Sequence, residues 1–346
     1  MSQIGFGFCI PIFANPGRAF FRTPCFERLE WAPIRRAVLE CETLGYDSIF
    51  VGDHVFLGRE GAIYECWTTL TALAALTRKI RLGTIHLGDS FRNPALVAKM
   101  ACTLDVISGG RVEFFYDFGW REAEFIAHGV PFLSTDERID KMVEGLEIIL
   151  RIMTEERVTF KGKYHRVNDA LCAPKPLQKP DPPLWLGETS DAKMLAAIVK
   201  YADVWNSTPA PVEAFEQKLD ALKRACENAG RDYGTIEKTL ETQILICEDA
   251  QAVDRVFERI DSLKATDAGQ DQDILKFLRE ANPALEGYRT KEDFGREFVI
   301  GTPDEVEARI RQYVDLGVTR FMLWFMDFPQ LDGIRLFAKT IMPKFR

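Results

Sequence analysis

Four short segments concentrate the residue types that acid–base and anion chemistry require. Gly52-Asp53-His54 sets a carboxylate beside an imidazole, the side chain whose ordinary pKa suits proton transfer near neutral pH. The alternative is a histidine that only satisfies a loop carbonyl. His86-Leu-Gly-Asp89-Ser-Phe-Arg92-Asn-Pro94 adds a second imidazole and a guanidinium that can neutralise an anion or cap the next helix. Asp117-Phe118-Gly119-Trp120-Arg121-Glu122 mixes charge with two large rings. Gly187-Glu188-Thr189-Ser190 offers amides and hydroxyls that can cradle a phosphate, although any helix start carries that signal. Glu124 and His128 stand four apart on one helical face, a spacing more often found in a surface ion pair than in a metal site. The sequence has no HExxH, no GxSxG elbow and no histidine near a Cys pair. Hydrolase chemistry therefore has little to stand on, and no metal is expected.

Each of the four segments follows an apolar run of strand length. Candidate strands are Ile4–Cys9, Ser48–Val51, Ile80–Ile85, Arg111–Tyr116, Leu184–Gly187, Ala202–Trp205, Thr239–Cys247 and Thr319–Phe325. Helical periods lie between them at Trp31–Leu44, Trp67–Leu76, Pro94–Ile107, Asp136–Thr154, Ser190–Lys200, Val212–Asn228 and Thr302–Leu316, with Leu331–Ile341 last. Eight strands alternating with helices are what a closed (β/α)8 barrel needs, an α/β fold whose active sites gather at the strand C-termini. An open doubly wound sheet would carry a Gly-rich fingerprint after its first strand, where this chain has Ile10-Pro11-Ile12-Phe13. The expected architecture is a single TIM-barrel domain over 1–346, with long inserted loops at about 10–30, 158–183 and 250–300. The second insertion contains a hairpin-like Val158–Val167 and a Pro-rich 174–183.

Composition narrows the partners. Among 346 residues, 44 Lys+Arg against 52 Asp+Glu leave a formal charge of −8, which argues against nucleic acid or an anionic membrane. The eight cysteines show no CxxC, and no apolar run reaches about 18 residues. A reduced, cytoplasmic, soluble protein is expected. Phenylalanines at 13, 20, 21, 91, 114, 115 and 118 fall near the predicted mouth or its covering loop, favouring an aromatic-lined pocket over a merely larger core.

Taken together, Gly45-Tyr-Asp-Ser-Ile-Phe-Val-Gly-Asp-His54, Cys66-Trp-Thr-Thr-Leu-Thr-Ala-Leu-Ala-Ala75, Lys79-Ile-Arg-Leu-Gly-Thr84, Phe91-Arg-Asn-Pro-Ala-Leu-Val-Ala-Lys99 and Leu104-Asp-Val-Ile-Ser-Gly-Gly-Arg111 resemble the bacterial luciferase-like family of flavin- and deazaflavin-dependent oxidoreductases. The likeness continues through Gly119-Trp-Arg-Glu-Ala-Glu124, Gly129-Val-Pro-Phe132, Tyr201-Ala-Asp-Val-Trp-Asn206 and Gly301-Thr-Pro-Asp-Glu305. It implies a barrel, often a homodimer, that binds FMN or the deazaflavin coenzyme F-420 at the strand C-termini and acts on a small-molecule substrate. The Gly-Asp-His and Arg-Asn-Pro segments are nearest to the F-420-dependent subgroup. By the same resemblance Asp53 and His54 flank the cofactor ring, with His54 as general acid or base. A non-prolyl cis peptide at Ile85–His86 supports the ring, and Gly187, Thr189 and Ser190 form the phosphate loop. Asp117 and Gly119 lie on the cofactor path, while Phe118, Trp120 and the loops 10–30 and 250–300 shape the substrate pocket. The rival readings are an FMN monooxygenase using reduced flavin and oxygen, and a barrel that has become a non-redox binding or structural protein.

Two departures from the family pattern bear on that choice. Strand four ends in Phe115-Tyr-Asp117-Phe118-Gly119 where Gly-x-Gly-x-Gly is usual, and Glu188 replaces a usual Gly. A carboxylate about 5 Å from a phosphate dianion costs on the order of 1–2 kcal/mol in a solvent-like dielectric. One expectation is a shifted, weakened or lost cofactor site. The other is that Phe118 turns aside, Asp117 pairs with Arg121 or Arg92, and Glu188 faces water.

Overall fold

Residues 3–17, 22–187, 191–263 and 291–346 are described by a computed structural model. The strands, in chain order, are β1 (Gly5–Ile10), β2 (Ser48–Val51), β3 (Arg81–Thr84), β4 (Leu87–Gly88), β5 (Val112–Asp117), β6 (Arg157–Lys161), β7 (Arg166–Leu171), β8 (Leu184–Gly187), β9 (Val204–Ser207), β10 (Glu237–Ile246), β11 (Val299–Gly301) and β12 (Arg320–Phe325). Eight of them close a parallel barrel in the order β1-β2-β3-β5-β8-β9-β10-β12, with β12 returning to β1. The (β/α)8 fold is thus the one observed. Its helices are α1 (Trp31–Leu44), α2 (Cys66–Leu76), α3 (Pro94–Ser108), α4 (Glu122–Ala127), α5 (Thr135–Thr154), α6 (Ala192–Tyr201), α7 (Val212–Ala229), α8 (Ala250–Ser262), α9 (Lys291–Glu297), α10 (Pro303–Asp315) and α11 (Asp332–Thr340). Local sequence sets their ends. The Asn93 side chain caps α3 ahead of Pro94, and Gly109 closes it in the left-handed conformation. Ser134 and Glu137 form a capping box at the start of α5. Among the described residues no helix is long and apolar enough to cross a membrane.

Aromatic rings fill the barrel interior, and two glycines make room for one of them. A Cβ on Gly83 would lie 2.4 Å from the Phe50 ring, and one on Gly7 would lie 2.7 Å from it. Phe50 in turn meets Trp185 edge-on at 5.3 Å. Gly83→Ala is expected to lower unfolding free energy by about 1–3 kcal/mol, since the ring must leave its rotamer. Chemical denaturation of the variant measures this. Towards the strand N-termini, Glu113 is buried and both Arg81 and Arg320 donate to its Oε1. Arg320 also reaches Glu237 at 3.2 Å and lies over Trp185.

The longest strand forks. Within β10, Glu237–Leu240 pair with β9 and Thr239–Ile244 with β12, whereas Ile244–Ile246 pair with β11 outside the ring. Here the structure corrects the expected loop at 250–300. Val253, Phe257 and Ile260 of α8 form a small core with Phe294 and Phe298 around α9, Leu245 and Met326. That spacing is helical and readable; residues 264–290 lie outside the described ones. The hairpin at 158–183 is longer than its predicted core, with β6 and β7 antiparallel from Arg157 to Leu171. Strand β9 starts two residues later than the expected Ala202, because the Ala202 amide still bonds Ile198 at the helix end and Asp203 takes the Leu184 amide. Its end consequently reaches Asn206 and Ser207 rather than Trp205.

Candidate active site

The C-terminal ends of β2, β4, β5, β8 and β9 surround one cavity of about 940 Å³, part of it open to solvent. His54 reaches it just after β2, and the first turn of α4 brings Glu124 alongside. His54 Nδ1 lies 2.7 Å from Glu124 Oε2, while Glu124 Oε1 accepts the Val55 and Phe56 amides at 3.0 and 3.1 Å. A carboxylate only accepts, so Nδ1 carries the proton and donates it to Glu124, leaving Nε2 on the other side of the ring. Trp120 meets the imidazole edge-on at 5.5 Å. Burial pushes the Glu124 carboxyl up, but the His54 bond and charge, the Phe56 amide and Arg121 outweigh it and hold the group below its ordinary value.

A carboxylate held low stabilises the fold above its ordinary titration range, and that contribution drains away as pH falls through the lowered value. The Glu124→Gln protein has no carboxyl to protonate. Its stability is expected to decline less steeply than that of the parent below about pH 5 in pH-dependent denaturation.

Asp53 is otherwise engaged. Arg92 grips both its oxygens at 2.7 and 2.8 Å, and the Gly88 amide donates to it at 3.0 Å. Arg92 also holds Glu65 at 2.7 Å, so it neither awaits an anion nor caps α3. The peptide between Ile85 and His86 is cis, at the bond singled out from the sequence. His86 Nδ1 lies 3.0 Å from Asp117 Oδ2, and Asp117 Oδ1 accepts the Gly119 amide at 3.0 Å. Asp117 therefore pairs with neither Arg121 nor Arg92, which are held by Glu124 and Asp53 respectively. The imidazole also faces Phe115, at 4.1 Å between centroids, and its Nε2 is 3.8 Å from Glu241 Oε2. Glu241 is fully buried; its Oε1 accepts Trp324 Nε1 at 2.8 Å and meets Arg22 at 2.9 Å.

Gly187 and Gly88 present no side chain to the cavity. A Cβ at Gly187 would stand 3.2 Å from Phe115. Asn206 Oδ1 accepts from Thr239 at 2.7 Å, whereas its buried Nδ2 has no hydrogen-bond partner. Glu188, Thr189 and Ser190 lie outside the described residues; beyond them Asp191 caps the Lys193 and Met194 amides of α6. Phe91, Phe118, Trp120 and Phe125 line the walls. The expected aromatic mouth is smaller than the sequence suggested: Phe13, Phe114 and Phe115 are buried core, and residues 20 and 21 are outside the described ones. The Glu124–His128 pairing is also corrected, since the Glu124 side chain goes to His54 and His128 Nδ1 stays 3.1 Å from the Glu124 carbonyl. Sequence reasoning missed the His54–Glu124 pair, Asn206, Arg22 and Glu241. His54 and Glu124 are 70 positions apart, which no local spacing exposes.

Two bare glycines, aromatic walls and an unpartnered amide donor fit a flat conjugated ring bearing carbonyl groups. A model of the luciferase-like monooxygenase family matches residues 15–320. The chain belongs to that family. This luciferase-like protein is 28% identical over 312 residues to the F-420-dependent glucose-6-phosphate dehydrogenase of Microbacterium testaceum, covering 88% of this chain and 90% of that one. It is 26% identical over 297 residues to the FMNH(2)-dependent dimethylsulfone monooxygenase of Pseudomonas putida, covering 82% and 79%. A solved F-420-dependent secondary alcohol dehydrogenase shares the luciferase-like fold, with a TM-score of 0.76 at 20% identity over 99% of both chains. The protein is thus a luciferase-like oxidoreductase.

Proposed function

We propose that this luciferase-like enzyme moves a hydride between a carbon of a small organic substrate and coenzyme F-420, with His54 as general acid or base. The carrying observation is the His54–Glu124 pair: a buried carboxylate 2.7 Å from Nδ1 fixes the tautomer and orients Nε2 as the proton-handling atom. The F-420-dependent relatives, two of which are 28% identical to this chain, support that cofactor over FMN. Gly88, Gly187, Asn206 and the Ile85–His86 turn would hold the ring. When bound, F-420 supplies a two-electron centre that accepts a hydride. His54 Nε2 takes the hydroxyl proton of an alcohol as its carbon–oxygen double bond forms, and Glu124 stabilises the resulting imidazolium. Phe91, Phe118 and Trp120 keep water from the reacting carbon. A homodimer in the cytoplasm belongs to the same reading, and a solution mass near twice 39.4 kDa supports the dimer.

Anaerobic mixing with F-420 and a panel of secondary alcohols tests the proposal. Bleaching of the oxidised deazaflavin, one equivalent per ketone formed, is the expected result. Oxygen uptake with reduced FMN and no bleaching of F-420 would replace it with the monooxygenase. Failure to bind either cofactor would leave the barrel as a binding or structural protein.

A further inference from the structure

The charges around the cavity are unevenly neutralised. Among the described lining residues stand two arginines and three carboxylates. Arg22 is committed to Glu241 at 2.9 Å and lies over Trp324. Arg121 meets Glu124 at 3.3 Å, donates to the Phe56 carbonyl and lies over the Phe56 ring. Behind the wall Arg92 holds Asp53. Asp117 differs from the other acids. Its partners are an imidazole at 3.0 Å and the Gly119 amide at 3.0 Å, with no guanidinium in contact among the described residues. The nearby Arg138 bonds the Leu133 carbonyl at 2.7 Å and sits against the Phe118 and Phe132 rings. The Asp117 side chain retains 16% exposure at the cavity wall.

We infer that Asp117 makes this cavity selective for uncharged substrates and excludes phosphorylated and carboxylated ones. The inference deepens the proposed reading by naming the class of molecule that presents its hydroxyl or carbonyl to His54. An anion entering the cavity meets a carboxylate that no described guanidinium contacts, with Arg138 acting on it only at longer range, and finds each described arginine of the wall already bonded. A phosphate dianion about 6 Å from Asp117 loses roughly tenfold in affinity even at a water-like dielectric, and more as the cavity dries. A neutral ketone or alcohol meets no such opposition and gains from the aromatic walls.

Matched ligands test this without any cofactor: acetophenone and 4-acetylbenzoate, titrated calorimetrically into the full chain. The neutral ketone is expected to bind at least about threefold more tightly, since a single carboxylate charge meets half the repulsion of a phosphate dianion, the ratio shrinking as salt rises from low to molar concentration because screening weakens the repulsion. In Asp117→Asn the ratio is expected to fall at least about threefold. Equal or tighter binding of the acid, a ratio unmoved by salt, a ratio unmoved in a folded Asp117→Asn protein, or no binding of either ligand would each overturn the inference. Should that variant not fold, the salt series on the parent chain decides. Loss of the hydride-transfer reading would show as absent bleaching of F-420 and would leave these binding ratios standing.

Discussion

His54→Ala is expected to lower kcat for F-420-dependent alcohol oxidation by about 10²- to 10⁴-fold, the span a positioned general acid or base contributes. The loss belongs to the proton step. Alanine cannot accept the hydroxyl proton, and Glu124, buried at 2% exposure and bonded to the Val55 and Phe56 amides, cannot swing out to replace the imidazole. KM and the binding of F-420 are expected to change far less than kcat, because the ring contacts assigned to Gly88, Gly187 and Asn206 do not involve His54. Steady-state kinetics with parallel cofactor titration separates these quantities. Unchanged kcat in the variant would remove His54 from the chemistry and return it to the role of a loop-bonding residue.

Glu113→Ala is expected to destabilise the protein by about 3–5 kcal/mol, the cost of leaving buried charge without its partner. One carboxylate at 1% exposure serves both Arg81 and Arg320. Arg320 retains Glu237 and the Trp185 ring, and Arg81 retains Gln178, so the penalty falls on guanidiniums partly shielded but no longer neutralised. The site lies at the barrel end opposite the cavity. Urea denaturation should show the full loss, while turnover per folded molecule should hold. A change below about 1 kcal/mol would mean that solvent already compensates these charges.

The barrel was legible because its signals are local. Apolar strands, capped helices and the Gly-Asp-His segment each declare themselves within a few residues, and the strand count limits the topology. The cavity was legible in position but not in wiring. That His54, Asp117 and Trp120 face it follows from their places at or just beyond the C-terminal ends of β2 and β5. Which acid serves which histidine depends on how α4 and the segment after β3 deliver them across the mouth. Asp117 shows the limit most clearly: Arg121 and Arg92 looked like its natural partners by charge, yet both are taken by acids on other elements. Asn206 was missed because a two-residue shift in β9 moved the strand end past Trp205.

The fork in β10 has an evolutionary corollary. Its first residues are needed to seal the ring, but Ile244–Ile246 serve as a rail on which Val299–Gly301 rest. Chain between 247 and 298 is therefore tethered at both ends to a fixture outside the sealed wall. The helices α8 and α9 that hang from it pack on Leu245 and Met326, so changes on their outer faces are absorbed outside the ring so long as the three-residue rail and its mate are kept.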